Sequence, residues 1–274
     1  MIIDQHTRLY GVTGYPIGHS LSPTMHNRAF SAKGLNAVYM AFETKDIEGC
    51  LKGMRALGIK GMSVTLPHKS AVIPLLDEVD GLAKRIGAIN TIVNDDGRLV
   101  GYNTDAVGAL KALEENLDLS GKTCIIIGAG GAARAIGFIL KENGVGLVVA
   151  NRSAERGKAL ALSLDCPFMP LSEMEKATAD LLINTTPVGM SPRKDRCPVP
   201  EQILRKGMAV MDIIYNPLET RLLKMARDRG CLTINGLTMF IHQGAEQFRL
   251  WTGLEAPVSV MMSAVKEVLD NDRG

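Results

Sequence analysis

Short apolar runs, each stopped by glycine, proline or a polar turn, recur along the whole chain. Their length and their content of Val, Ile and Leu are typical of buried β-strands. The predicted strands are Leu9–Thr13, Ala37–Phe42, Gly61–Thr65, Ala88–Asn94, Thr123–Ile127, Gly146–Ala150, Leu181–Thr185, Ala209–Ile213 and Leu232–Ile234.

Between these runs the apolar residues are spaced as on one face of an α-helix. The predicted helices are Pro23–Lys33, Asp46–Leu57, Asp105–Asn116, Ala132–Glu142, Ala154–Leu164, Leu218–Asp228, Leu237–Trp251 and Val258–Leu269. Strands that alternate with helices are typical of α/β proteins with parallel sheets. We therefore expect an α/β fold.

A second sheet is predicted to begin at the apolar run 123–127, because a glycine-rich turn follows it. The layout predicts two lobes, residues 1–104 and residues 105–236. The helices of residues 237–274 are expected to return to the first lobe.

Composition and charge exclude several classes of protein. Of the 274 residues, 46% are hydrophobic and 22% are charged, and the net charge of +2 is too small to favour nucleic acid or a membrane as partner. The five cysteines form no C-x-x-C pair, which is typical of reduced thiols in a cytoplasmic protein. The histidines lack the spacing of metal ligands, so we expect no metal.

The run CIIIGAGGAAR (124–134) joins an apolar strand to a helix through a glycine-rich turn. It matches the dinucleotide-binding fingerprint, with Ala133 at the third glycine position. Gly128 permits the tight turn, and Gly130 lets the backbone approach a pyrophosphate at the start of the helix. A turn without a ligand is the alternative, but the flanking strand and helix favour cofactor binding.

The next strand of this lobe runs into NRSAER (151–156). NAD enzymes usually carry an acidic residue here, which binds the ribose and would repel a 2′-phosphate. Two arginines and a hydroxyl favour NADP instead, because guanidinium groups bind phosphate through paired hydrogen bonds. The alternative is a solvated basic turn in which Ser153 caps the following helix.

The stretch VTLPHK (64–69) ends a strand, turns at Pro67 and presents Lys69. A lysine in this place transfers protons when a carboxylate and a substrate lie beside it, and is otherwise a solvated charge. Asp105 is the candidate partner or simply a helix N-cap, and His68 is expected to face solvent. Further short polar side chains stand where α/β sheets bind ligands, namely Ser20, Ser22, Asn90 and Thr91. Such a set suits a small, polyhydroxylated anion.

A series of motifs, taken in order, makes the chain resemble the shikimate dehydrogenases over nearly its full length. The motifs are HSLSP (19–23), VTLPHK (64–69), GAINT (87–91), GYNTD (101–105), GAGGAA (128–133), NRSAER (151–156), NTTPVGM (184–190), DIIYNPLET (212–220) and NGLTMFIHQ (235–243). Enzymes of this family reduce 3-dehydroshikimate to shikimate with NADPH, on the route to chorismate and the aromatic amino acids. The resemblance implies that the first lobe binds substrate and that the second, a Rossmann-type lobe, binds NADP.

The resemblance also implies roles for individual residues. Lys69 becomes the acid/base at the substrate oxygen, Asp105 its partner, and Ser20 and Ser22 the ligands of the substrate carboxylate, with Tyr215 nearby. The substrate site would contain Ser20, Ser22, Thr65, Lys69, Asn90, Asp105, Tyr215 and Gln243. The cofactor site would contain Gly128, Ala129, Gly130, Gly131 and Ala132 at the pyrophosphate, Asn151, Arg152, Ser153 and Arg156 at the 2′-phosphate, and Ile213 and Gly236 near the nicotinamide.

Three other functions compete with this interpretation. A dual quinate/shikimate dehydrogenase would accept NAD, but the NRSAER segment argues against it. A non-catalytic metabolite sensor would be expected to lose the lysine–aspartate pair, and a folate dehydrogenase would not need the serine pair. We expect a small-molecule substrate and a monomer or homodimer.

Overall fold

The computed structural model describes residues 3–271, and for Lys176 it describes only the backbone. In this part of the chain the strands are β1 Arg8–Gly14, β2 Ala37–Glu43, β3 Gly61–Val64, β4 Glu78–Val79, β5 Thr91–Asp95, β6 Arg98–Tyr102, β7 Thr123–Ile127, β8 Gly146–Asn151, β9 Phe168–Pro170, β10 Leu181–Asn184, β11 Ala209–Asp212 and β12 Leu232–Ile234. The α-helices are α1 Ser22–Ala32, α2 Ile47–Ala56, α3 Gly81–Ile86, α4 Thr104–Glu114, α5 Gly131–Glu142, α6 Ala154–Leu164, α7 Arg221–Asp228, α8 Gly236–Thr252 and α9 Val258–Asn271. Short 3₁₀ segments are Ile73–Leu75, Leu171–Lys176 and Glu201–Ile203. No helix within residues 3–271 has the length and apolar character needed to cross a membrane.

The chain divides into two compact units. The first contains residues up to Val107 together with those from Ile241 onward, so both ends of the chain build it. The second is the uninterrupted stretch Gly108–Phe240. These boundaries lie a few residues beyond those expected at 104/105 and 236/237.

The second unit is a six-stranded parallel sheet in the order β9-β8-β7-β10-β11-β12. Adjacent residues of its central strands point to opposite faces, and each face has its own buried core. Ile126 and Ile183 belong to one core, and Ile125 and Leu182 to the other. The direction of winding reverses between β7 and β10, and open α/β sheets bind ligands at this point, beyond the carboxyl ends of the strands.

The sheet of the first unit is mixed, whereas the alternation of strands and helices predicts parallel pairing. Strands β2, β1 and β3 run parallel, but β5 is antiparallel to both β3 and β6. A two-residue turn connects β5 to β6, with φ values of 47° at Asp96 and 99° at Gly97. Two such residues favour a tight antiparallel hairpin, and Asn94 Oδ1 accepts a hydrogen bond from Gly97 N–H at 2.7 Å.

Several short elements lie outside the predicted pattern. Strands β4, β6 and β9 and helix α3 were not predicted, and β5 begins at Thr91 rather than at Ala88. Helix α3 is set by its ends: Asp80 Oδ2 accepts a hydrogen bond from Leu82 N–H at 2.9 Å, and Gly87 stops the helix with a φ of 69°. Its six residues are too few for a helical period to be recognised.

Aromatic side chains fill the space between the first sheet and its helices. Tyr10 lies 5.1 Å from Phe30 and 5.5 Å from Trp251, measured between ring centroids. The indole N–H of Trp251, on α8, donates to the carbonyl oxygen of Ile92 at 3.0 Å. Gly61 has no side chain because a Cβ there would overlap the indole ring. The C-terminal part of the chain is therefore built into the core of the first unit.

Candidate active site

The chain turns sharply after β3, and hydrogen bonds fix the turn on both sides. Thr65 N–H donates to the Thr13 carbonyl oxygen at 2.9 Å, and His68 N–H donates to the Thr65 carbonyl oxygen at 2.9 Å. The carbonyl oxygen of Lys69 accepts from Ile89 N–H at 2.7 Å. The backbone that carries the lysine is thus attached to the strands of the first sheet.

His68 is buried, so the expectation that it faces solvent is wrong. It is 4% exposed, and its Nε2 lies 2.8 Å from the Thr44 carbonyl oxygen. Because a carbonyl oxygen can only accept, Nε2 carries the proton in this hydrogen bond. The ring therefore attaches the lysine turn to the connection between β2 and α2.

Lys69 and Asp105 form an ion pair inside the first unit. The ammonium Nζ donates to Asp105 Oδ2, and the two side chains are 15% and 10% exposed. Asp105 lies in the first turn of α4 but is not its cap, because Asn103 Oδ1 accepts the hydrogen bond from Ala106 N–H at 3.2 Å. The carboxylate is therefore available to the lysine.

Asn90 holds the second oxygen of the same carboxylate. Its Nδ2 donates to Asp105 Oδ1 at 2.9 Å, and its Oδ1 accepts from Thr104 N–H at 2.7 Å. The second contact determines which end of the amide faces the carboxylate. Gln243 Oε1 lies 3.4 Å from Asn90 Nδ2. Lys69, Asn90, Asp105 and Gln243 thus form one polar group, which we call the Lys69 cluster.

The Lys69 cluster combines an amine that can transfer a proton with fixed hydrogen-bonding groups. Both oxygens of Asp105 are engaged, one by Lys69 and one by Asn90, so the carboxylate has little freedom to rotate. Low exposure strengthens the electrostatic interaction between the ammonium and carboxylate groups. Amide side chains beside such a pair can bind ring hydroxyls, because they both donate and accept.

Ser20 and Ser22 lie at the start of α1. Ser22 is buried, and its N–H donates to Ser20 Oγ at 3.3 Å. Within residues 3–271, no hydrogen bond joins either serine directly to the Lys69 cluster, so the structure does not bring these predicted substrate residues into contact.

In the second unit, the predicted pyrophosphate turn has the backbone that the glycines imply. Gly128 has a φ of 116°, and a Cβ there would overlap the hydroxyl of Thr185. Ala129 and Gly130 follow, and Gly130 is the N-cap of α5, with nothing within 4 Å of a Cβ built on it. Helix α5 then starts at Gly131 and Ala132 with no acidic residue in its first turn, so its N-terminus is open to an anion.

The arginines of the NRSAER segment lie beyond the carboxyl end of β8. Ser153 Oγ accepts a hydrogen bond from Arg156 N–H at 3.4 Å, so Ser153 caps α6, and Asn151 Nδ2 donates to the Ser153 carbonyl oxygen at 2.9 Å. Arg152 and Arg156 are exposed, and no carboxylate among residues 3–271 pairs with either. Both guanidinium groups are free to bind a phosphate.

The three remaining predicted residues lie after β11. Ile213 is half-buried, and its N–H donates to the Asn184 carbonyl oxygen at 3.1 Å. Gly236 is buried, and a Cβ there would overlap the carbonyl of Ile213. Tyr215 stacks on Phe240 with 4.4 Å between ring centroids. Ile213 and Gly236 are thus in close contact with each other.

Asp212, at the end of β11, is a buried acid that the sequence does not distinguish from a strand-end residue. It is fully buried; its Oδ2 accepts from Thr220 Oγ1 at 2.7 Å, and its Oδ1 accepts from Asn184 Nδ2 at 3.0 Å and from Ile214 N–H at 3.2 Å. Burial raises the pKa of Asp212 to about 7, although these hydrogen bonds oppose the rise. The only sequence signal for Asp212 is its place at the start of the DIIYNPLET motif, directly before Ile213, which is expected near the nicotinamide.

No three His, Cys, Asp or Glu side chains in residues 3–271 are grouped so that they could hold a metal ion.

Three protein-family models match successive parts of the chain. The shikimate dehydrogenase substrate binding domain matches residues 12–92, the shikimate / quinate 5-dehydrogenase model matches residues 109–191, and the shikimate 5′-dehydrogenase C-terminal domain matches residues 236–266. The first segment lies in the first unit and the second segment lies in the second unit. The third segment lies mostly in the C-terminal part of the first unit.

Individual relatives match over almost the whole chain. The shikimate dehydrogenase (NADP(+)) of Moorella thermoacetica is 50% identical, covering 98% of this chain and 96% of its own. A crystal structure of a shikimate dehydrogenase in complex with NADP+ is 44% identical with a TM-score of 0.94, and covers 98% of both chains. The Thermus thermophilus shikimate 5-dehydrogenase in complex with NADP(H) and shikimate is 39% identical with a TM-score of 0.89, covering 95% of this chain and 99% of its own. With this identity over nearly its full length, the chain belongs to the shikimate dehydrogenase family.

Proposed function

We propose that this protein is an NADP-dependent shikimate dehydrogenase, which reversibly reduces 3-dehydroshikimate to shikimate. It is an oxidoreductase acting on a CH–OH group, in the pathway to chorismate and the aromatic amino acids. The observation that carries the proposal is the buried Lys69–Asp105 pair with Asn90 on its second oxygen, in a chain of this family.

In this proposal Lys69 is the general acid. Its ammonium group donates a proton to the carbonyl oxygen of 3-dehydroshikimate as that oxygen becomes a hydroxyl, and the neutral amine takes the proton back in the reverse direction. Asp105 and Asn90 hold the amine in place, because the carboxylate binds it and the amide fixes the carboxylate. General acid catalysis by a positioned side chain contributes about 10²–10⁴-fold to the rate.

The other substrate residues have roles that match their chemistry. Ser20 and Ser22, at the start of α1, bind the substrate carboxylate, with Tyr215 as a further contact. Thr65 and Gln243 read the ring hydroxyls, since one lies in the lysine turn and the other beside Asn90.

The turn after β7 and the end of β8 fit NADP. Open space at Gly130 admits a pyrophosphate to the helix N-terminus, and the exposed Arg152 and Arg156 bind the 2′-phosphate. The remaining cofactor residues are Gly128, Ala129, Gly131, Ala132, Asn151 and Ser153, with Ile213 and Gly236 at the nicotinamide. NADPH, when bound, supplies the hydride.

We also propose a cytoplasmic location and a monomeric or homodimeric state. The five cysteines are free thiols, as is usual in a reducing compartment.

The proposal is tested by following absorbance of the reduced nicotinamide with shikimate or quinate, each with NADP+ or NAD+. We expect the highest kcat/KM for shikimate with NADP+. A higher value for quinate with NAD+ would contradict the proposal and favour a quinate dehydrogenase.

The role of Lys69 is tested by Lys69→Met, which keeps the length of the side chain and removes the amine. Turnover should fall by about 10²–10⁴-fold, with a smaller change in shikimate KM. Lys52→Met is the matched control, because Lys52 pairs with Glu48 on an exposed face of α2 at 2.8 Å. Near-normal turnover of Lys69→Met would contradict the assigned role.

A further inference from the structure

Gln247 is a buried amide on α8, four residues after Gln243 and therefore on the same side of the helix. It is 1% exposed. Its Nε2 donates to Thr91 Oγ1 at 3.0 Å and to the Asn90 carbonyl oxygen at 3.3 Å. Its Oε1 accepts from Ser63 Oγ at 3.0 Å. Every hydrogen-bonding group of this side chain is used inside the first unit.

The donors and acceptors around Gln247 can be assigned without ambiguity. The Asn90 carbonyl oxygen can only accept, so Nε2 must face Asn90 and Thr91, and Oε1 must face Ser63. The Ser63 hydroxyl therefore donates to Gln247 Oε1, and Ser63 Oγ accepts from the Tyr39 hydroxyl at 2.6 Å.

On its other side, Gln247 acts on the Lys69 cluster through Thr91. Since Thr91 Oγ1 accepts from Gln247, its own proton goes to Asn90 Oδ1 at 2.8 Å. Asn90 Nδ2 then points to Asp105 Oδ1. A continuous series of hydrogen bonds, which we call the Gln247 chain, thus runs from Tyr39 through Ser63, Gln247, Thr91 and Asn90 to Asp105.

His26 packs against this chain from the side of α1. Its ring stacks on Tyr39 with 4.5 Å between centroids, and its Nε2 lies 3.3 Å from Gln247 Oε1. Because Oε1 accepts, Nε2 carries the proton, which leaves Nδ1 as a buried acceptor with no partner among residues 3–271. Burial lowers the pKa of His26 to about 3, so the ring is neutral. Packing and hydrogen bonding together restrict Gln247 to one orientation.

We propose that Gln247 is a positioning residue for the reaction: its amide holds Asn90, and through Asn90 the Asp105 carboxylate, in the orientation that the substrate and Lys69 require. This inference rests on the proposed function. Gln247 itself touches no reacting group and acts only through Thr91 and Asn90.

The test compares Gln247→Met, which keeps the side-chain length and removes all its hydrogen bonds, with the parent enzyme. We expect kcat/KM for shikimate to fall by about 10–100-fold, the effect of a small misplacement at a reacting centre, with NADP+ KM unchanged. A merely structural residue would lower the unfolding temperature and leave the kinetic constants of the folded enzyme unchanged, and that result would overturn the inference.

Asn94→Leu is the matched control. Asn94 is also a buried amide in the first unit, but it bonds to the backbone of Met54, Ile59 and Gly97, away from the Lys69 cluster. It should lower the unfolding temperature without changing shikimate KM.

Thr91→Val provides a second variant, in case Gln247→Met does not fold. It keeps the volume and removes only the hydroxyl between Gln247 and Asn90. We expect the same loss of kcat/KM, and a Thr91→Val enzyme with parental kinetics would overturn the inference. In the double variant the loss should be no greater than in the worse single variant, whereas multiplied losses would show that Gln247 does not act through Thr91.

The parent enzyme separates the two levels of the proposal. A parent that does not oxidise shikimate with NADP+ would refute the proposed function and this inference with it. If the parent is active and Gln247→Met has the same kinetic constants, the inference about Gln247 is refuted and the proposed function is not.

Discussion

Replacing Asp212 with asparagine should remove one component of the dependence of stability on pH. The acid is fully buried at the end of β11, with Thr220 on one oxygen and Asn184 and Ile214 on the other. Asparagine mimics the protonated acid: its oxygen can accept from Asn184 and Ile214, while its NH₂ group can donate to Thr220 Oγ1, which reverses the direction of the hydrogen bond that Thr220 donates to the carboxylate. The variant can therefore hydrogen bond to the same three partners but cannot ionise.

The size of the effect follows from the pKa, which rises from 3.8 to about 7 on folding. At about 1.4 kcal/mol per pH unit, this corresponds to about 4 kcal/mol. The sign follows from proton binding: between the two pKa values the folded state keeps a proton that the unfolded state has lost. The proton therefore stabilises the fold at low pH, and this stabilisation disappears as the pH rises through about 7.

The measurement is urea unfolding of the parent and Asp212→Asn at pH 5, 6, 7 and 8, at constant ionic strength. The free energy of unfolding of the parent, relative to the variant, should fall by about 2–3 kcal/mol between pH 5 and pH 8. The infrared difference spectrum of the two proteins should show a protonated carboxyl band at pH 5 that is lost at pH 8.

Asp180→Asn is the matched control in the same unit. Hydrogen bonds from Thr123 hold the pKa of Asp180 below 3.8, so its contribution to stability is already complete at pH 5 and should not change up to pH 8. Parallel stability curves for the parent and Asp212→Asn, with no carboxyl band at pH 5, would refute the reasoning about Asp212.

Two further predictions concern the cofactor. Arg152→Ala combined with Arg156→Ala should raise NADP+ KM by about 10–100-fold and leave NAD+ KM nearly unchanged, because only the 2′-phosphate contacts are lost. Steady-state kinetics with both cofactors checks this. An equal rise in KM for NADP+ and NAD+ would contradict it. Gly128→Ala should lower both the unfolding temperature and NADP+ affinity, because its φ of 116° and the Thr185 hydroxyl exclude a side chain. Gly130→Ala should lower NADP+ affinity without lowering the unfolding temperature, since its Cβ meets nothing within 4 Å. Calorimetry of unfolding and of NADP+ binding measures the two effects separately. Unchanged NADP+ binding in Gly130→Ala would show that no pyrophosphate approaches there.

Sequence reasoning works best where local pattern and local chemistry agree. The strand, glycine turn and helix from Thr123 to Glu142 are predicted almost residue for residue, because each step depends on neighbours in the chain. The hairpin between β5 and β6 also had a local signal, the Asp96-Gly97 pair, but the run after it is short and was missed. Short elements such as α3 are determined by the residues at their ends, and they contain too few residues to show a hydrophobic period.

The site is harder to predict, because its contacts join distant parts of the chain. Lys69 and Asp105 are 36 residues apart. The sequence left Asp105 as either a partner of Lys69 or a helix N-cap, and the family resemblance favoured the partner. The choice of Asn103 over Asp105 as the cap of α4 depends on where the helix begins, which propensity leaves uncertain by a residue or two. Gln247 had one signal, its place one helical turn after Gln243, but burial and partners become visible only in three dimensions.

The division of the chain into units also has a consequence for its synthesis. A ribosome delivers the N-terminal strands first, yet Tyr10 and the Ile92 carbonyl oxygen can contact Trp251 only after most of the chain has emerged. The middle segment, Gly108–Phe240, has all its own partners earlier. The part of the polypeptide that is translated first is therefore completed last, because its core includes side chains of helix α8.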